Sequence, residues 1–459
     1  MCQTPAAKKS SSAVRQFTWA EIDESRPKEF NVKGASTKGP VYIVIDGKVY
    51  DVGGDFVRWH PGGAVIISQM GKDASSAFEV FHPESAYETL ANFYVGDLKD
   101  GEPSKQNDFA HEIKQLRAKF EKAGYFKSSK LFYAYKILSN LALLSASLGT
   151  LAYLGNNLVG IVFAAVCMGL FLQQCGWLAH DFLHHQVFEN RAINNAFGYV
   201  IGNVAQGFSV AWWKNKHCTH HSAPNIHQQD PDIDTMPYLA WSEHALELFS
   251  DFKDDTVARF LVSRQSILYF PILSLARIPW ALHSILFVLP GHSECVVSDP
   301  TMLLIERSTL AIHWVWYLGT AFYFLSPLHA LLYILLSQTV GGLFLASVFS
   351  LNHNGMSIYD DVTGKDIEFY QLQVDTGRNV TPTHFNNWFT GGLNFQIEHH
   401  LFPTIPRHHI GKTAPDVMAV CKKYGIPYHS TSFSGGIQEV VSRLGVIGKM
   451  SVKIAQMKQ

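Results

Sequence analysis

The sequence predicts a multi-domain chain. A small α+β domain spans residues 17–98, a polar linker spans 99–130, and an all-α integral membrane body with four transmembrane helices occupies 131–459. Three observations carry this reading. A two-residue hairpin signal, Asp46-Gly47, lies between short alternating runs in the first hundred residues. Charge and glycine give way to long apolar runs beyond residue 130. Four of those runs reach the roughly 20 residues that a bilayer demands.

In the first domain, Thr18-Trp19-Ala20-Glu21 has the pattern of a capping box that opens a helix. Val41–Ile45 and Lys48–Val52 alternate like strands on either side of the hairpin turn. The Lys, Gly and Ser-rich stretch from Pro27 to Pro40 reads as a loop. In the linker, Ile113, Leu116 and Phe120 recur on one face and predict a short amphipathic helix ahead of the membrane.

The four predicted spans are Phe132–Tyr153, Leu158–Leu178, Thr309–Leu325 and Leu328–Ser350. They form two pairs. The turns Leu154–Asn157 and Ser326–His329 carry no Lys or Arg, whereas the segment His180–Arg307 carries Lys214, Lys216, Arg259, Arg264 and Arg277. The positive-inside rule therefore puts the middle segment and both termini in the cytosol. Ala196–Trp213 and Leu268–Pro290 are apolar too, but Asn203, Gln206, Arg277 and His283 make them too polar to face lipid, so interfacial or re-entrant segments are expected.

Composition bounds the function. With 37 Lys and Arg against 38 Asp and Glu, the net charge of -1 gives no electrostatic footprint for nucleic acid. The skew to 47% hydrophobic and only 16% charged residues points to the lipid bilayer as a partner. The six cysteines show no paired spacing, so neither a disulfide framework nor a zinc ribbon is indicated. The first sixteen residues lack the apolar core of a secretory signal.

The chemistry lies in three histidine clusters. His180-Asp181-Phe182-Leu183-His184-His185 follows the second span, His217-Cys218-Thr219-His220-His221 lies in the middle segment, and Gln396-Ile397-Glu398-His399-His400 follows the fourth span. Each repeats i, i+3 or i+4 spacing, which puts side chains on one helix face. All three fall on the cytosolic side, so eight imidazoles and one amide can converge there. A single zinc site needs three or four ligands, so eight histidines suggest two metals. His353, where the fourth span ends, stands equally well as an additional ligand or as a polar helix-end residue. Asp181 and Glu398 are candidates to orient ligands, or solvated helix residues. The run Asp230–Asp234 reads first as a solvated loop, with support of the metal ligands as its alternative, and His227, His244, His283, His384, His408 and His409 read as loop or surface residues.

A second constellation lies in the first domain. In Trp59-His60-Pro61-Gly62-Gly63 the chain turns sharply and lets backbone approach a flat ligand, and His82 closes a segment with Val65, Ile66, Phe78 and Phe81. Two histidines across an apolar slot can ligate a haem iron from both sides, which leaves electron transfer as its task.

Here the residues resemble known families. Phe17–Leu98 is similar to a cytochrome b5 domain, whose haem ligands map onto His60 and His82. That domain ahead of HDFLHH, HCTHH and QIEHH resembles the front-end fatty acid desaturases, most of all the fungal Δ6 desaturases, with Gln396 and the fused haem domain particular to that group. The resemblance implies an all-α desaturase domain with a cytosolic di-iron cap, haem b and two iron ions as cofactors, and O2 as co-substrate. It implies a fatty acyl substrate and electrons from NADH through a cytochrome b5 reductase, at the endoplasmic reticulum membrane. The expected product is a double bond between an existing one and the carboxyl end. Δ5 or Δ8 selectivity, a sphingolipid long-chain base as substrate, and hydroxylation on the same scaffold are the rival outcomes. A haem carrier with vestigial clusters is the non-enzymatic one.

Overall fold

The computed structural model describes residues 14–27, 37–102, 105–248, 255–289, 299–364 and 366–456. The N-terminal stretch, most of the loop expected between Pro27 and Pro40, Cys2 and Cys295 lie outside these residues.

The first domain is built as its local signals dictate. Thr18 caps the helix Trp19–Glu24 and exchanges bonds with Glu21 in a complete capping box. Strands β1 (Gln16–Phe17), β2 (Tyr42–Ile45), β3 (Lys48–Asp51) and β4 (Tyr94–Leu98) form one sheet in the order β1-β4-β3-β2. Strands β2 and β3 pair across the turn, where Asp46 and Gly47 take φ of 49° and 76°, the conformation that a tight hairpin requires. Phe17 pairs with Leu98, so the sheet joins the first and last residues of the domain.

In the membrane body, Lys130–Leu154, Leu158–Leu183 and Pro327–His353 are each long and apolar enough to cross a bilayer. Ser129 and Asn157 cap the first two, satisfying amide groups that the helix leaves free. The third expected span, Thr309–Leu325, falls in the later part of a 25-residue helix, Pro300–Phe324, whose earlier turns hold Glu306 and Arg307 and which is not among those three. Leu138, Val159, Val315, Leu331 and Leu335 form exposed apolar surface on these helices, as a lipid-facing wall demands. Asn156 Oδ1 accepts from the Ser326 amide, which ties the two inter-helix turns together at one end.

The segment expected to be re-entrant near residue 280 is a pair of helices, Gln265–Ser274 and Arg277–Val288, bent by 57°. Arg277 turns inward, where its guanidinium donates to the Gln206 carbonyl and the Gln338 side chain. Glu306 is likewise buried and accepts from Asn203 and the Ala211 amide. Both charged side chains thus find internal partners in the apolar layer.

At the other end, a cap forms from the linker helix Asp108–Lys122 and the C-terminal third of the chain. Phe109, Ile113 and Phe120 pack with Tyr370, Ile397, Leu401 and Val417. The expected amphipathic helix thus covers the cap core. Ala77 and Val80 of the first domain join the same core and seat that domain against the cap.

Candidate metal centre and haem pocket

Geometry divides the histidines into two buried groups. His180, His184, His217, His221 and His399 form one, and His220, His353 and His400 form the other, with ligand atoms within 4.8 Å of one another in each group. His180 lies in the last turn of the Leu158–Leu183 helix, and His184 caps it. The helix Val210–Ser222 supplies both groups because neighbouring helical residues point about 100° apart. His221 faces the first group and His220 the second. His399 and His400 divide in the same way on the helix Gln396–Leu401.

In the first group, Nε2 atoms stand 2.8 Å apart for His184 and His217, 3.0 Å for His221 and His217, and 3.1 Å for His399 and His221. Metal–imidazole bonds of about 2.0–2.1 Å place two ligands at right angles about 2.9 Å apart. His180 Nε2 is buried in the same cluster without a hydrogen-bond partner. In the second group, His220 Nδ1 donates to the Asp230 carboxylate at 3.0 Å and His353 Nδ1 to the Thr376 carbonyl at 2.9 Å. Both partners only accept, so the protons sit on Nδ1, and the Nε2 lone pairs face each other at 3.2 Å. His400 Nδ1 bonds Gln373 Oε1 at 2.7 Å, which turns its Nε2 to within 3.0 Å of His353 Nε2. A cation is what such facing lone pairs accommodate. The donor set fits two metal ions.

Burial, reinforced by neighbouring imidazoles, pushes the His184, His217, His221, His399 and His400 rings well below the usual histidine range. They are neutral at physiological pH, the form that binds metal. His220 differs. Burial works to lower it, but the Asp230 and Asp232 carboxylates outweigh burial and raise it.

Several expectations change. His185 joins neither group. One residue beyond the helix cap, it takes φ 59°, and this turn carries its ring away from the face that His180 and His184 share. His353 takes its place in the count, so eight histidines converge, five in one group and three in the other. Gln396 lies beside the second group, its Nε2 2.7 Å from His353 Nε2, while its oxygen accepts from Asn352. Asp230, at the head of its run, is not solvated: it is 1% exposed and holds His220, whereas Asp234 is exposed. His227 is buried against Ser242 rather than on the surface. Asp181 is buried and pairs with Arg407, which also donates to the Trp177 carbonyl and pins the helix end. Glu398 accepts from Asn379 and Tyr428, fixing the helix that carries His399 and His400. Sequence reasoning missed Gln373 and Thr376, for which no motif exists.

In the first domain, His60 and His82 face each other with ring centroids 5.9 Å apart. His60 Nδ1 lies 3.3 Å from the Gly63 carbonyl and His82 Nδ1 3.2 Å from the Phe78 carbonyl, so both rings turn Nε2 into the slot. The Pro-Gly-Gly turn is needed as it stands. A Cβ on Gly62 would come within 2.9 Å of His60 Cε1, and Gly63 has φ 62°. Phe56 stacks on His60 and Phe78 on His82. Burial, with His60 nearby, pushes His82 down to about 4. Two neutral, oriented imidazoles across an apolar slot fit a haem iron.

A haem-fitting domain seated on a membrane-spanning body with a two-metal histidine site defines a class: membrane oxidoreductases that carry their own electron donor. The chain belongs to the fatty acid desaturase family, in its front-end branch with a fused cytochrome b5 domain. Residues 156–432 match the family described as fatty acid desaturase, and residues 26–99 match the cytochrome b5-like haem/steroid binding domain. Among relatives, the chain is 40% identical to the acyl-lipid (9-3)-desaturase of Physcomitrium patens, over 90% of this chain and 76% of the relative. It is 35% identical to the Delta(8)-fatty-acid desaturase of Euglena gracilis, over 87% and 94%. To the Delta(6)-fatty-acid desaturase fat-3 of Caenorhabditis elegans it is 32% identical, over 84% and 91%. Haem and a di-iron centre that uses O2 are accordingly its cofactors.

Proposed function

We propose that the chain is a Δ6 front-end desaturase that converts linoleate to γ-linolenate and α-linolenate to stearidonate. The observation that carries the reaction is the convergence of eight histidines in two groups, on elements that the haem domain contacts. In this reading His180, His184, His217, His221 and His399 hold one iron. His220, His353 and His400 hold the other, with the Gln396 amide beside it, and His60 and His82 hold the haem. Iron supplies the activation of O2 that an unactivated methylene requires, since such a carbon has no acidic proton for a side chain to remove.

The protein's part is to orient and to exclude water. Asp230, Thr376 and Gln373 fix three imidazoles from outside. Arg407 and Asp181 hold the helix end that presents His180. We take 17–98 as the haem domain, 99–130 as the connection and 131–459 as the desaturase domain. The histidines face the cytosol of an endoplasmic reticulum membrane, where an NADH-linked cytochrome b5 reductase reduces the haem.

Regioselectivity rests on overall likeness, including that to fat-3. The greater identity to a Delta(8) desaturase favours Δ8 as the second reading. Feeding linoleate and eicosadienoate to a host lacking front-end activity, then locating new bonds by mass spectrometry, tests both. γ-Linolenate supports Δ6, a Δ8 bond in the longer acid supports the second reading, and a hydroxyl group in place of a bond overturns desaturation.

A further inference from the structure

The haem domain meets the metal-site elements at two places, each adjoining one haem-facing histidine. After His60, the 3-10 helix Gly63–Gln69 lies against the end of the Val210–Ser222 helix. Ser68 Oγ is 2.6 Å from Ser222 Oγ, and Gln69 Nε2 donates to Ser222 Oγ at 2.8 Å and to the Ser222 carbonyl at 3.1 Å. Ser222 is bonded directly to His221. Before His82, the helix Ser75–Phe81 places Ser76, whose hydroxyl donates to Glu368 at 2.8 Å. Glu368 caps the helix Phe369–Asp375, which carries the Gln373 that holds His400.

The first place forms a continuous path. His60 Nδ1 reaches the Gly63 carbonyl, two residues of backbone lead to the Val65 carbonyl, and Ser68 Oγ donates to it at 2.8 Å. From Ser68 the path crosses to Ser222 and continues through the chain to His221. Ser68, Gln69 and Ser222 are all buried. The second place is longer: it crosses from Ser76 to Glu368 and runs along a further helix to Gln373 before it meets the His400 ring.

Resting on the front-end reading above, we propose that Ser68, Gln69 and Ser222 form the electron-transfer junction between the two domains, with Ser222 positioning its hydroxyl to couple the His60 side of the haem to His221. Ser76 and Glu368 hold the docked orientation. Each crossing would move one electron from a haem held by His60 and His82, which the reductase would restore with electrons from NADH. Two crossings serve one turnover: O2 takes these two electrons, two more with the two hydrogens leaving the acyl chain, and two further protons, and departs as two waters.

The test uses the full-length holoprotein in detergent, its haem reduced anaerobically, then mixed with O2 and acyl substrate while haem oxidation is followed by absorbance. Ser222→Ala and Gln69→Leu should slow oxidation about ten-fold or more, the range seen for partners outside a metal's ligands. Haem spectrum, haem content and iron content should stay at wild-type values. Ser222→Thr, which keeps the hydroxyl, should restore the rate. Independently of turnover, a Ser68→Cys/Ser222→Cys pair should form a disulfide in the metal-free protein, identified by peptide mass mapping. Unchanged oxidation in both single variants, or no disulfide in the pair, overturns the junction. Wild-type haem that substrate and O2 do not oxidise would instead overturn the tethered-donor reading itself.

Discussion

The rings of His221 and His400 stack with centroids 4.1 Å apart and planes 14° from parallel, although they belong to different groups. One comes from the helix Val210–Ser222 and the other from Gln396–Leu401, so this pair is where the two metal groups touch. Their supports lead outward to separate contacts with the haem domain.

Exchanging the expectations for His185 and His353 gives a direct contrast. His353→Ala removes a member of the three-histidine group and should abolish product, with iron falling from about two per chain towards one. His185→Ala should retain both irons, because its ring lies outside both groups. Elemental analysis of purified variants checks this, and loss of iron in the His185 variant would contradict the grouping.

Asp230→Asn keeps the shape but replaces an acceptor-only carboxylate with an amide. His220 Nδ1 then loses its charged partner. Metal affinity or activity should fall about 10–100-fold, measured by chelator competition, with folding preserved because Asn can still accept from the Asn225 amide.

Much of this was legible in sequence, and the exceptions have physical reasons. The hairpin at Asp46-Gly47, the capping box at Thr18 and the apolar spans depend on neighbours within a few residues, so their signals are local. The histidine clusters were legible because helical spacing is a local property as well. That spacing misled at His185, because the helix ends before it. Asp230 looked solvated because nothing in a short acidic run reveals that an imidazole ten residues earlier folds back onto it. The Gln373–His400 and Ser68–Ser222 contacts depend on segments 27 and 154 residues apart meeting, which no motif records.

For the haem slot, His60→Ala should abolish desaturation in cells lacking any free cytochrome b5, with loss of the six-coordinate haem spectrum. Activity retained in such cells would contradict the tethered donor.

The slot also predicts a pH dependence. His82 is depressed to about 4 by burial in the folded haem-free chain, from an ordinary value of 6.5. Above 6.5 both folded and unfolded forms are neutral there, and stability is at its plateau. As pH falls from 6.5 towards 4 the unfolded chain takes up a proton that the folded slot refuses, so stability declines across that window. Hydrogen exchange of the haem-free full-length protein, read on peptides of the first domain, should show protection falling over this range and not above it.

Anomalous scattering at the iron edge, from crystals of the purified protein, locates the metal ions among the eight histidines. Two iron peaks are expected, one among His180, His184, His217, His221 and His399 and one among His220, His353 and His400. A single peak, or one ligated by His185 in place of His353, would contradict this grouping.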